Sequence, residues 1–249
     1  MNIHGECAKI VTKRKRVFLR LVILFRRLFF MKKVFFALIS LFCIHGAFAL
    51  ENWTGNINLG IGFPFYNATF KGANNVDMEG KGNGVNFAFS EQMIHKQNGF
   101  LFEVGLNIGG QKIENFDQGK DEWGFDFSGC LGLGYAFKHD DEGIITMAAI
   151  MGYDWMRVSK NISYSYSGYT YNMEGESNSF AFFIGANLTG VFRISEKFGI
   201  FGSFLFAVPV LGWDTIKATY RGLSYSESYD LKSGGYYVRP SFGLSITID

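Results

Sequence analysis

The sequence predicts an all-β fold: an eight-stranded, antiparallel, up-and-down transmembrane β-barrel. Three observations carry that expectation. Eight segments alternate with a period of two, the connections between them alternate between short and long, and the aromatic side chains gather on one face. The last segment, GGYYVRPSFGLSITID (234–249), shows the pattern most plainly. Tyr236, Val238, Pro240, Phe242, Leu244, Ile246 and Ile248 alternate with Tyr237, Arg239, Ser241, Gly243, Ser245, Thr247 and Asp249. Successive side chains of a strand point to opposite faces, so this is a strand with one apolar and one small or polar face.

The eight segments span approximately 52–65, 84–94, 99–109, 124–137, 143–157, 179–194, 197–211 and 235–248. Each is near or above the ~9–11 residues that cross a bilayer as a tilted strand. The first sets Trp53, Gly55, Ile57, Leu59, Ile61, Phe63 and Phe65 against Thr54, Asn56, Asn58, Gly60, Gly62 and Pro64. The sixth sets Phe180, Phe182, Ile184, Ala186, Leu188 and Phe192 against Ala181, Gly185, Asn187, Thr189 and Arg193. Short polar turns, HKQN, KHDDEG and SE, join the second strand to the third, the fourth to the fifth and the sixth to the seventh. The other connections are loops of about 14 to 23 residues, and short periplasmic turns with long outer loops are the layout of outer-membrane barrels.

Size decides which face meets lipid. About twenty rings lie on the apolar faces, Trp53, Phe87, Phe102, Trp155, Phe204 and Phe242 among them, against Phe183, Phe201 and Tyr237 on the opposite faces. An eight-stranded barrel has an interior only just filled by its side chains, so that many rings fit only outside. Gly, Ser, Asn, Thr and Ala fit inside. The abundance of Gly (31) and Phe (28) with only 3 Pro agrees with strands of two very unequal faces.

The first 49 residues are a different material. From Met31, MKKVFFALISLFCIHGAFA gives two lysines, an apolar run and Ala47-Phe48-Ala49. That is the order of a secretory signal peptide, so residues 31–49 are expected to be cleaved after Ala49. Residues 1–30 are expected to be untranslated or a leader extension, although Arg26-Arg27-Leu28-Phe29-Phe30 resembles a twin-arginine export motif. Residues 50–249 are the expected barrel domain. The leader holds 10 of the 24 Lys and Arg and 1 of the 22 Asp and Glu. The remainder has 14 basic and 21 acidic groups, a net charge of −7, and no electrostatic footprint for nucleic acid. Cys7 and Cys43 fall in the leader, and Cys130 alone allows no internal disulfide.

The signal peptide, the eight alternating strands, the unequal connections and the amphipathic C-terminal strand resemble the small outer-membrane β-barrels. The length of 50–249 resembles the OmpW-like members more than the OmpX-like ones. The ending Ile248-Asp249 departs from the terminal aromatic common in such chains. The resemblance implies a passive channel for small, hydrophobic molecules.

The expected chemistry is not catalytic. His95 and His139 fall in periplasmic turns, without a nucleophilic triad or His/Cys metal spacing, so no enzyme, cofactor or metal is expected. A lipid-modifying enzyme would need an outer-rim histidine, and none is placed there. Inward parity puts Glu103, Asp126, Asp154, Arg193 and Arg239 in the lumen. Asp126, Asp154 and Arg239 are expected in the outer half, Glu103 and Arg193 near the periplasm, paired in two tiers because unpaired buried charge is costly. These pairs serve either as a plug or as the filter of a narrow pore.

Ile150, Phe183, Phe201 and Leu205 form an apolar lumen wall, a guide for an apolar solute or simple filler. Pro64, Pro209 and Pro240 fall on the strands around the closure seam, where lost ladder bonds could let a solute leave sideways. SYSYSGYTYN (163–172), with Tyr164, Tyr166, Tyr169 and Tyr171, and LSYSESYD (223–230), with Tyr225 and Tyr229, have the Tyr/Ser/Gly texture of binding loops. They equally suit hairpins that extend past the membrane. The expected partners are therefore the outer-membrane bilayer, a small apolar solute and an extracellular binding partner. A closed barrel serving as a scaffold for adhesion is the alternative function.

Overall fold

The computed structural model describes residues 52–71, 77–117, 120–166, 169–221 and 223–248. The expected leader, 1–49, lies outside them. Nine strands form: β1 Trp53–Gly62, β2 Phe65–Lys71, β3 Asp77–His95, β4 Phe100–Asp117, β5 Lys120–His139, β6 Gly143–Tyr166, β7 Tyr169–Arg193, β8 Phe198–Tyr220 and β9 Leu223–Ile248. β1 and β2 are one barrel strand interrupted at Phe63 and Pro64. On both sides the register runs straight through, from Gly62↔Ser241 to Phe65↔Val238 and from Gly62↔Asn86 to Phe65↔Asn83. Each following strand pairs antiparallel with the one before it, and β9 closes on β1 and β2. The result is an eight-strand ring, as expected. No helix among the described residues is long and apolar enough to cross a membrane.

Three short turns set the periplasmic end. Gly99 takes φ +71°, conformational space that a Cβ disfavours, and the Asn98 side chain accepts the Phe100 N–H at 3.0 Å. The Asp140 carboxylate accepts the N–H groups of Glu142 and Gly143, each at 3.0 Å, and so makes its own turn. Loss of hydration opposes ionisation of Asp140. The two N–H groups and the Lys138 ammonium outweigh it and hold the carboxyl below its usual range. The Ser195 hydroxyl accepts the Phe198 N–H at 3.2 Å in the third turn.

The strand faces separate by size, as the alternation demands. Leu133, Tyr135, Met151, Ile184, Leu188, Phe204, Phe242 and Leu244 are all exposed on the outer face. Aromatic girdles bound this belt. Trp53 meets His95 edge-on at 5.1 Å near the periplasm, and Phe180 stacks on Trp213 at 4.8 Å beside Trp155 at the outer side. The ten residues separating Phe125 from Tyr135 on a tilted strand span about 25 Å, the height of a barrel's apolar band.

Large inward side chains face small ones. Phe201 pairs with Gly243, and Gly243 pairs with Gly60. A Cβ on Gly60 would stand 2.9 Å from the Phe201 ring, so the ring occupies the space these glycines leave.

The strands run well past their expected outer ends. β6 and β7 stay in register from Gly143↔Phe192 to Tyr166↔Tyr169. Residues 163–166 and 169–172 are therefore continuations of the two strands, with Tyr164↔Tyr171 paired along them. The 223–230 segment pairs with β8 in the same way, from Tyr220↔Leu223 to Trp213↔Asp230. The Tyr225 side chain is 66% exposed; those of Tyr164, Tyr166, Tyr169, Tyr171 and Tyr229 lie outside the described side chains.

Candidate functional site

The lumen is built in layers. At the periplasmic end Ile94, Leu101, Ala136, Ile144 and Val191 pack together, none more than 6% exposed. Above them lies a polar tier around Glu103. Gln92 Nε2 donates to Glu103 Oε2 at 3.2 Å and to Thr146 at 3.1 Å, while Asn187 Nδ2 donates to Glu103 Oε1 at 2.5 Å. Thr247 donates to Asn56 at 3.0 Å, and Asn58 donates to Ser90 at 3.1 Å, tying β1 to its two neighbours.

The middle of the lumen is apolar again. Ile150, Phe183, Phe201 and Leu205, the expected wall, are buried in one cluster with Cys130, Ala148 and Ala207. Phe183 stacks on Tyr237 at 5.7 Å across the interior.

A second polar tier follows. Asn86 Nδ2 donates to Asp126 Oδ2 at 3.3 Å, Arg239 Nη1 to Ser128 at 3.4 Å, and Asn107 to Ser128 at 3.1 Å. Asn86 and Asp126 stand two strands apart and meet only because Gly109 lies between them. A Cβ there would come within 2.5 Å of the Asn86 Cβ. Ile113, Met156 and Val158, with Tyr66 against them, close the outer end.

All five expected lumen charges face inward, but the expected ion pairs do not form among the described residues. Arg193 is the last residue of β7, six residues along the strand from Asn187, and Asn187 is the side chain that reaches Glu103. Six residues of strand are about 20 Å, too far for Arg193 to compete. Arg239 instead extends to Ser128, with its Cδ next to the open side of Gly62. Charge–amide and charge–hydroxyl hydrogen bonds replace the expected charge–charge contacts.

Sequence reading did not single out Gln92, Asn187, Asn86, Gln111, Ser128 or Tyr66. The signal for them was present: each is a polar group at an inward position. Among the described residues, ion pairs lie at the ends of the barrel: Lys112–Asp121 at 2.6 Å, Arg157–Glu176 at 2.9 Å, Lys138–Glu142 at 2.9 Å, Lys138–Asp140 at 3.5 Å, and Lys160 with Glu122.

The prolines divide. Pro64 and Pro240 lie in adjacent registers of the closing pair, yet that pair stays aligned. Phe63 N–H donates to the Pro240 carbonyl and Gly84 N–H to the Pro64 carbonyl, both at 2.9 Å. The break falls one pair over, which corrects the expected position of the weak seam. Between Ala207↔Tyr237 and Trp213↔Asp230, residues 208–212 of β8 and 231–236 of β9 make no ladder pairs with each other, although each segment stays paired to its other neighbour, β7 or β2. Pro209 sits in that gap, and on its other side the β7–β8 register slips by one residue, from Phe183↔Pro209 to Phe182↔Leu211. Proline supplies no N–H, and an interrupted ladder beside it follows from that. Trp213, stacked on Phe180, marks the gap as lying at the outer edge of the apolar belt.

Above the girdle the faces of the wall invert. Along β6, Trp155 points outward and Asp154 inward; higher up, Met156 and Val158 are the buried inner residues, and Arg157 and Ser159 face out. The outer face there is polar. Arg157 bonds Glu176 and Asn178 bonds Glu176 at 2.6 Å, while hydroxyls bond Thr215 to Ser228 at 3.2 Å and Thr219 to Ser224 at 3.0 Å. The inner face carries Ile216 and Ala218 beside Tyr225.

Among the described residues no group of three or more His, Cys, Asp or Glu side chains is placed to hold a metal ion.

No family model matches the chain, and no curated protein matches it in sequence. Solved structures do match. The outer membrane protein OprG from Pseudomonas aeruginosa is similar with a TM-score of 0.53 and 7% identity, over 79% of this chain and 96% of that one. A major outer membrane protein from Thermus thermophilus is similar with a TM-score of 0.52 and 9% identity, over 76% of this chain and 99% of that one. At these identities the likeness is one of fold. With the lipid-facing belt, its two girdles and the closed ring already described, it makes this chain a small eight-stranded β-barrel of the bacterial outer membrane.

Proposed function

We propose that the barrel is a passive conduit for small hydrophobic molecules, admitted at the outer mouth and released sideways into the membrane. The interrupted ladder between β8 and β9, beside Pro209 and at the outer edge of the apolar belt, carries this reading. Below that level the lumen is filled, so an axial route is the less favourable one. Above it, Ile216 of β8 and Tyr225 of β9 remain exposed on the inner face of the outer wall, an apolar surface for a solute leaving water. In this reading the inward charges Glu103, Asp126, Asp154, Arg193 and Arg239 hold the barrel shut along its axis. They are not a filter.

A covalent staple across the gap tests the proposal. Val210→Cys and Tyr236→Cys, in a Cys130→Ala background, are joined by a short bismaleimide. Uptake of the fluorescent apolar probe N-phenyl-1-naphthylamine into the membrane is then followed. The proposal expects uptake to fall to the level of cells without the barrel; unchanged uptake would remove the sideways route.

One observation favours the adhesive alternative: the β6–β7 and β8–β9 hairpins continue far beyond the girdle. Deleting 163–172 while keeping probe uptake but losing surface attachment would support that second role.

A further inference from the structure

The two strands that border the gap in the wall are each longer there than their other neighbour requires. On β8, Phe183↔Pro209 is followed by Phe182↔Leu211, so Val210 has no opposite residue on β7. Val210 and Leu211 are consecutive yet both exposed, at 52% and 59%, between the buried Pro209 and Gly212. The alternation of faces breaks by one residue at that point, which is the mark of a β-bulge. On β9, Ala68↔Gly235 is followed by Thr69↔Lys232, so Ser233 and Gly234 have no opposite residue on β2.

Gly235 gives independent support for the second bulge. Its φ is +137°, a region that L side chains rarely adopt, and a Cβ there would collide with the Asn67 carbonyl oxygen. The chain can turn back into the β2 ladder at this point because the residue is glycine.

Proline alone does not account for the length of the gap. Pro240 stands opposite Phe204 in the same β8–β9 ladder, and pairing continues on both sides of it. One missing N–H removes one bond, not a run of consecutive pairs.

Taking out the unmatched residues would restore the match. Between Ala207↔Tyr237 and Trp213↔Asp230, β8 has five residues, 208–212, and β9 has six, 231–236. Without Val210, and without Ser233 and Gly234, four residues face four. They fall in unbroken antiparallel order: Val208 opposite Tyr236, Pro209 opposite Gly235, Leu211 opposite Lys232 and Gly212 opposite Leu231. The same deletions make the β7–β8 and β2–β9 registers continuous at this level. Three ladders are put out of step by the same three residues.

We propose that Val210 and the Ser233–Gly234 pair are insertions that hold β8 and β9 apart, with Gly235 as the residue that lets β9 turn around them. A bulge bends its strand and ends pairing locally, and here one sits on each side of the gap. Because both strands stay paired to β7 and β2, the result is a slit in a closed ring rather than a frayed edge. A part for these residues in solute exit rests on the sideways route proposed above; their effect on the wall does not.

The test compares the wild-type barrel with three deletions: Val210 alone, Ser233–Gly234 alone, and all three residues. Hydrogen exchange in detergent micelles reads the ladder, with heat-modifiable migration and unchanged exchange along 198–207 as the check on folding. Only the triple deletion should slow exchange in 208–212 and 231–236, by tenfold or more. Each partial deletion leaves unequal lengths facing each other and should stay fast. Gly235→Ala should lower the yield of folded barrel several-fold in the full-length chain and be tolerated in the triple deletion. Exchange that stays fast in the triple deletion, or a triple deletion that folds worse than either partial one, would overturn the proposal. Slowing by one partial deletion alone would overturn the assignment to both strands. Uptake of N-phenyl-1-naphthylamine separates this proposal from the conduit: slowed exchange with uptake lost supports both. Slowed exchange with unchanged uptake supports the insertions and removes the sideways route.

Discussion

β6 and β7 are two continuous strands that pass through two media, and the comparison between their lower and upper halves is instructive. Between the girdles the large apolar residues Met151, Phe182, Ile184 and Leu188 face outward and Asn187, Thr189 and Gly185 face inward. Above Trp155 and Phe180 the same alternation continues with its chemistry exchanged: Arg157, Glu176 and Asn178 outside, Met156 and Val158 inside. The backbone does not slip, because the β6–β7 register is unbroken along its length. What changes is the solvent. In lipid the apolar face must point away from the lumen, and in water it must point toward it.

The largest effect should come from putting a charge on one half and then on the other. Leu188→Arg, at an exposed position in the belt, should cost about 2–4 kcal/mol of folding free energy in lipid. Asn178→Arg, on the same face of the same strand above the girdle, should change stability by less than about 0.5 kcal/mol. Urea titrations in lipid vesicles measure both, and equal costs would erase the boundary drawn at Trp155 and Phe180.

Packing inside the lumen gives the next effect. Gly60→Leu would drive a side chain into Phe201 and the β9 backbone, and overpacking of this kind costs about 1–3 kcal/mol. Adding Phe201→Ala should recover much of that loss, which a merely conformational role for Gly60 would not allow.

Glu103→Leu should be smaller. It strands the Gln92 and Asn187 amides, at about 1–3 kcal/mol in total, whereas Glu103→Gln should cost less because it keeps an acceptor. Equal stability of the two variants would mean that the lower tier is not held by these bonds.

The smallest effect lies in the periplasmic turn. Asp140 is held ionised, so its contribution is present above the ordinary carboxylate pKa of ~4 and fades as the pH falls through its lowered value. Asp140→Ala should speed hydrogen exchange at Glu142 and Gly143 near neutral pH. The difference should shrink in acid.

The eight membrane crossings were legible in the sequence because a period of two, sustained beside a lipid boundary, survives without knowledge of partners. So was the side of each lumen residue, from Glu103 to Arg239. The outer extensions were not, because inverted polarity above the girdle reads as loop when the apolar face is expected outside; Met156 and Val158 inside with Arg157 and Ser159 outside are the plainest case. The ion pairs failed for another reason. Parity and height along a strand say nothing about which side chain across the barrel is within reach, and that depends on register and on gaps such as Gly62 and Gly109. The weak seam likewise needed two registers at once: Pro209 was visible, but the unpaired stretch 208–212 exists only relative to β9.

A sideways conduit needs a lumen closed along its axis and a wall opened at one side. Single-channel conductance of the purified barrel in a planar bilayer tests this most directly. A folded barrel should give no discrete openings, and Asp126→Asn or Arg239→Gln should leave the record silent. Regular openings in the wild type, altered in size by either substitution, would show a continuous axial pore and contradict the packed lumen.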